Sequence, residues 1–124
     1  MDFYNMPLMM DEIHRAEMRK KLLNLLYEPD QFTAWLRRHD EKEMVGKAGL
    51  SNLDPLARFL QVFTGYECDL LGNEKVYVRS TEGYFTEINL VGWVVRYLKA
   101  ITRNDQNYGD SVTAGECLAV LEKI

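Results

Sequence analysis

Asp54-Pro55-Leu56-Ala57-Arg58-Phe59-Leu60-Gln61-Val62-Phe63-Thr64-Gly65 is the stretch from which the rest of the chain takes its frame. Aspartate at an N-cap accepts from the free amides of a first helical turn, and proline at the next position presets φ for that turn. Leu56, Phe59, Leu60 and Phe63 then recur at i, i+3, i+4 and i+7, one face of a helix. Gly65 sits where a left-handed residue closes the last turn. A helix is therefore predicted from Asp54 to Gly65.

Downstream the period changes from helical to alternating. Three short β-like runs follow, Glu67 to Leu71, Lys75 to Arg79 and Tyr84 to Asn89. Gly72-Asn73-Glu74 and Ser80-Thr81-Glu82-Gly83 separate them, both short enough for hairpin loops. In the middle run Val76 and Val78 oppose Tyr77 and Arg79, as in a sheet with one covered face. A capped helix followed by a three-stranded antiparallel meander makes the fold class α+β.

Upstream, Leu8 to Tyr27 reads as a helix, with Met10, His14, Met18, Leu22 and Leu25 or Leu26 on one stripe and Ile13, Ala16 and Leu23 beside it. Glu28-Pro29-Asp30 breaks it, and Asp30 is placed as the cap of a second helix carrying Phe32, Trp35, Leu36 and His39. Asp40 to Glu43 is polar, and Gly46 to Asn52 reads as a connector. Beyond the meander, Leu90 to Arg103 reads as a helix so apolar that it must be covered on more than one side, with only Gly92, Arg96, Lys99 and Arg103 on a polar stripe. A polar loop, Asn104 to Ser111, leads to a last helix, for which Thr113 and Glu116 form a capping box and Leu118 and Leu121 the buried side. The expected organisation is one domain over 1–124. Residues 8–45 form an N-terminal helical part, and 50–124 hold a helix, the meander and two helices.

Bulk properties bound the function. The chain has 124 residues, 47% hydrophobic and 27% charged, enough for one core. A formal net charge of -4 argues against general attraction to nucleic acid or an anionic membrane. No apolar run approaches the roughly 20 residues of a membrane span. The opening Met1-Asp2-Phe3-Tyr4-Asn5-Met6-Pro7 has neither the basic nor the apolar part of a secretion signal. Cys68 and Cys117 are the only cysteines, too few for a disulfide framework. Together these lead to the expectation of a cytoplasmic protein with two free thiols.

No residue is assigned a catalytic role. His14, His39, Cys68 and Cys117 lack the close paired spacing of zinc ligands, so no metal or other cofactor is expected. Ser51, Ser80, Ser111 and the cysteines have no nucleophile context, and Gly46 and Gly49 do not lead into a P-loop. Glu67 and Asp69 share a strand face, but solvated edge charge explains them more simply, and Glu41 and Glu43 lie in a polar, solvated stretch with nothing apolar around them. Arg37-Arg38-His39, Lys99 and Arg103 are the cations a helix end attracts. Aromatic residues stand out instead. Adjacent Tyr84 and Phe85 must point to opposite sides of a strand, so one is exposed or covered by another element.

Asp54-Pro55-Leu56-Ala57-Arg58-Phe59-Leu60 with Thr64-Gly65, Val45-Gly46 upstream, Trp93, and Val112-Thr113-Ala114-Gly115-Glu116-Cys117-Leu118 resembles a family of small uncharacterised bacterial proteins, prominent in cyanobacteria. Its members carry Cys-Pro-Leu-Ala-x-Tyr-Leu, a short β region, a Trp-bearing helix and a closing Val-Thr-Ala-x-Glu-x-Leu helix. The resemblance runs from about residue 32 to the end and implies the same layout, with no activity attached. This chain departs at Asp54, where the family often has cysteine, so any thiol role there would be lost.

The expected function is a small non-catalytic interaction or regulatory protein that binds another protein, or itself as a homo-oligomer. Candidate contact residues are Tyr77, Tyr84 and Phe85 on the sheet and Trp93, Arg96 and Tyr97 on the apolar helix. The alternative is a small-molecule or nucleotide-binding domain, or an enzyme, with its site at the sheet–helix junction.

Overall fold

A computed structural model describes the backbone of residues 6–124 and the side chains from Met10 onward. The absence of a secretion signal rests partly on residues 1–5 and lies outside the described residues. The elements are α1 (Met6–Leu26), α2 (Asp30–Arg37), β1 (Met44–Lys47), α3 (Pro55–Thr64), β2 (Glu67–Leu71), β3 (Lys75–Arg79), β4 (Phe85–Asn89), α4 (Trp93–Ile101), β5 (Ser111–Thr113) and α5 (Ala114–Lys123). Strands β2, β3 and β4 form the antiparallel meander, so the fold is α+β with the expected sheet. Among the described residues no helix is long and apolar enough to cross a membrane.

The framing helix forms as its sequence dictates. Asp54 Oδ1 accepts from the Leu56 amide at 2.8 Å, Pro55 opens the helix, and Gly65 closes it at φ +73°. The capping box of α5 is complete: Thr113 Oγ1 accepts from Glu116 N, and Glu116 Oε1 accepts from Thr113 N, both at 3.1 Å.

Four expectations are corrected. Asp30 is not the N-cap of α2. Pro29, at φ -73° and ψ -2°, is already helical and its carbonyl accepts from Thr33 N, so the helix begins one residue earlier. A second sheet was not expected: β1, which runs into the segment read as a connector, pairs antiparallel with β5, which starts at the end of the polar loop, Met44 opposite Thr113 and Lys47 opposite Ser111. Helix α4 is shorter than the Leu90–Arg103 pattern. Leu90 N still donates to Glu74 O across the sheet, and Gly92, at φ +62°, turns the chain before Trp93. Finally, the α1 stripe is buried only at its C-terminal end, at Met18, Leu22, Leu25 and Leu26, while Met10 and Ile13 are exposed.

The buried residues form one continuous cluster from Met18 to Cys117. Phe32 lies at its aromatic centre, with ring centroids 5.3 Å from Phe59, 5.2 Å from Tyr97 and 6.2 Å from both Trp35 and Trp93. The inner sheet face (Cys68, Leu70, Val76, Val78, Thr86 and Ile88) packs into this cluster or beside it. Helix α1 reaches the free edge of β4. Arg15 Nε donates to Phe85 O at 2.9 Å, Arg19 donates to Thr86 Oγ1 at 3.0 Å, and His14 stacks on Tyr84 at 4.3 Å.

Candidate functional site

The turn between β4 and α4 creates an apolar concavity. Because Gly92 takes a left-handed φ, Val91 projects from the link instead of lying on a helix. The last turn of α1 stands opposite. Trp93 Nε1 donates to Leu26 O at 2.8 Å and ties the two segments together. Between them lies a groove of about 400 Å³, floored by Leu26, Ile88, Leu90, Trp93 and Val94. Its rim is apolar as well: Leu23 is 54% exposed, Val91 71% and Tyr27 81%. No charged side chain lines it.

The aromatic residues singled out in the sequence separate into three settings. Tyr77 and Phe85 lie together on the outer face of the meander, stacked at 5.3 Å, with Phe85 exposed and Tyr77 half-buried. Tyr84 turns the other way and is half-buried under His14, so the adjacent pair divides between the two sides. Trp93 is buried and meets the surface only as groove floor. Arg96 is exposed on α4. Tyr97 is corrected as a contact residue: it is fully buried in the core and presents nothing to a partner.

Tyr97 instead belongs to a polar chain inside the molecule. Asp54 is fully buried, with Oδ2 accepting from Gly49 N at 2.7 Å and Oδ1 from Leu56 N at 2.8 Å and from the Tyr97 hydroxyl at 3.4 Å. The hydroxyl also lies 3.8 Å from Cys117 Sγ. Burial pushes the Asp54 carboxyl up to about 6, outweighing the two amide bonds that favour its charge. Burial likewise pushes the Tyr97 phenol well above its ordinary range and both the Cys68 and Cys117 thiols up to about 12. These thiols are protonated at neutral pH, the opposite of what a nucleophile needs. The chain Asp54–Tyr97–Cys117 links the α3 cap, α4 and α5 through the core.

The histidines occupy boundary positions: His14 against Tyr84, and His39 with Nδ1 2.9 Å from Trp35 O and Nε2 3.5 Å from Glu43. Among the described residues no group of three or more His, Cys, Asp or Glu side chains is placed to hold a metal ion.

Sequence reasoning missed Leu23, Tyr27 and Val91. Leu23 and Val91 were placed on helix faces and Tyr27 at a helix end, where partial exposure is ordinary. The available signal was Gly92, a residue that favours a turn over a helix interior and so sets Val91 outside α4. No family model, no curated protein and no solved structure matches the chain.

Proposed function

We propose that the chain is a non-catalytic protein-interaction domain that docks an apolar segment of a partner into the groove between the end of α1 and the β4–α4 link. One observation carries this reading: three large apolar side chains, Leu23, Tyr27 and Val91, stand more than half exposed around an apolar floor. Leaving such a rim in water is unfavourable at roughly 25 cal/mol per Å², and contiguous exposed apolar patches mark binding surfaces. Tyrosine adds contact area at low entropic cost.

The test is capture from native lysate by the full chain and by a Tyr27→Ser, Val91→Ser variant. Both substitutions are at exposed positions and leave the core intact. The expected result is a discrete protein partner recovered by the native chain and lost with the variant. An identical set of proteins recovered by both would overturn the reading.

The groove's volume also favours a second reading, a small apolar ligand, since pockets for small molecules span roughly 300–1,000 Å³. Its lining holds no cation to pair with a phosphate, so an apolar ligand is favoured over a nucleotide. Mass spectrometry of apolar compounds copurifying with the native chain, and absent from the variant, separates this reading from the first.

A further inference from the structure

The outer face of the meander is a regular array fixed by strand register. Tyr77 is its centre. Along β3, Lys75 and Arg79 flank it two residues away on either side, pointing to the same face. Across the sheet, Asp69 on β2 and Glu87 on β4 stand directly opposite it. Two cations along one axis and two carboxylates along the perpendicular axis make a cross of alternating charge. Every outward position on the three strands is exposed or half-buried.

This pattern selects its own complement. A second copy laid face to face with its strands aligned sets cation on cation and carboxylate on carboxylate, which is repulsive. A copy crossed at about a right angle sets every cation on a carboxylate, and near-orthogonal crossing is one of the two ordinary ways sheets pack. Two crossed arrangements exist, with the two-fold axis along one diagonal or the other. One diagonal runs Glu67–Tyr77–Asn89 and places Glu67 on its own image. The other runs Leu71–Tyr77–Phe85, placing Leu71 on Leu71 and Phe85 on Phe85, with Glu67 facing Asn89.

We infer that this face is the contact of a crossed homodimer, with its two-fold axis along Leu71–Tyr77–Phe85, pairing Arg79 with Glu87 of the second copy and Lys75 with Asp69 of the second copy. It is a surface separate from the groove proposed above. Within one chain Lys75 lies 3.3 Å from Glu87 and Arg79 lies 3.5 Å from Glu67. These are exposed pairs that a dimer shares without leaving a charge unpartnered. Three five-residue strands cover only about 14 by 17 Å, which sets the contact at the weak end of specific interfaces. Dimerisation is therefore concentration-dependent, and it weakens with salt because its contacts are solvent-rimmed charges.

The test is sedimentation of the full chain over a concentration series. The native chain passes from monomer to dimer. Arg79→Glu alone and Glu87→Arg alone each weaken the dimer by about tenfold or more, since each sets like charges face to face twice. An equal mixture of the two variants regains opposite charges at both contacts and dimerises again. Circular dichroism of each variant matches the native chain, because exposed ion pairs carry little of the fold. Tyr27→Ser leaves the dimer unchanged. A native chain that stays monomeric throughout, a mixture that does not recover, rescue of Arg79→Glu by Asp69→Arg instead, or a dimer lost with Tyr27→Ser would each overturn the assignment.

Discussion

The indole Nε1 of Trp93 donates to the carbonyl oxygen of Leu26 at 2.8 Å, joining the last residue of α1 to the first of α4. A carbonyl in the last turn of a helix has no partner in its own helix. The indole supplies one while its ring closes the groove floor. Trp93→Phe keeps an apolar ring but removes the donor, leaving a carbonyl without its bond. The expected loss is about 1–3 kcal/mol, read as a lower denaturation midpoint. A change smaller than about 0.5 kcal/mol would show that water or a neighbouring group takes over the bond.

Asp54 makes stability depend on pH in the less usual direction for a carboxyl. Its folded value of about 6 lies above the ordinary 3.8, so the native state holds the proton more tightly than the unfolded chain. Its contribution is fully present below about 3.8 and is lost as pH rises through about 6. At about 1.36 kcal/mol per pH unit, the loss is on the order of 3 kcal/mol. The check is the stability difference between the native chain and Asp54→Asn, measured by denaturation at pH 4 and pH 7. It should move against the native chain as pH rises, and a difference independent of pH would remove Asp54 as the cause.

Tyr97 lowers the Asp54 value by donating its hydroxyl to the carboxylate. Tyr97→Phe therefore moves the Asp54 titration further up, and the fall in stability shifts to higher pH with it. Carbon-detected NMR titration of the Asp54 carboxyl reads this directly. A midpoint that stays put or moves down would show that the 3.4 Å contact carries no weight.

The legible parts of the fold are those encoded by neighbours in sequence. The α3 and α5 caps, the Gly65 stop and the alternation in β3 each need only a few adjacent residues, and each forms as read. The β1–β5 pair was not legible, because Met44–Lys47 and Ser111–Thr113 are too short to carry a period and become strands only on meeting each other. Helix α4 was overrun because Leu90 and Val91 continue its apolar pattern, while a cross-sheet bond from Leu90 and the φ of Gly92 decide where it starts. Strand alternation made it legible that Tyr84 and Phe85 divide between two sides, but not that Phe85 is the exposed one or that it stacks on Tyr77, which depends on the β3–β4 register. The groove was not legible, because it depends on how the end of α1 is set against the β4–α4 link.

Gly46 and Gly65 are required for different reasons, and alanine separates them. A Cβ on Gly46 would run into the Leu53 carbonyl and lie 2.8 Å from the Pro55 ring, where backbone cannot yield. Gly65 has open space around it and only its φ of +73° to defend. Gly46→Ala is expected to cost about 1–3 kcal/mol or more through overpacking. Gly65→Ala should cost about 1 kcal/mol through the left-handed backbone alone. Denaturation midpoints rank the two, and equal losses would mean that the β1–α3 contact relaxes freely.

Cys68 and Cys117 test whether the interior opens. Both are buried, and both thiols are pushed up to about 12, so neither exposure nor thiolate favours reaction at neutral pH. Labelling by an aromatic disulfide reagent at pH 7.5 should be slow and should count two thiols only in denaturant. Cys68 sits on the inner face of β2, whereas Cys117 lies beneath Tyr97 at the junction of three elements, so it needs the wider opening. Labelling Cys68→Ser and Cys117→Ser variants separately should therefore find the remaining Cys117 the slower of the two. Rapid labelling of Cys117 in the native chain would mean that the Asp54–Tyr97–Cys117 chain does not hold α3, α4 and α5 together.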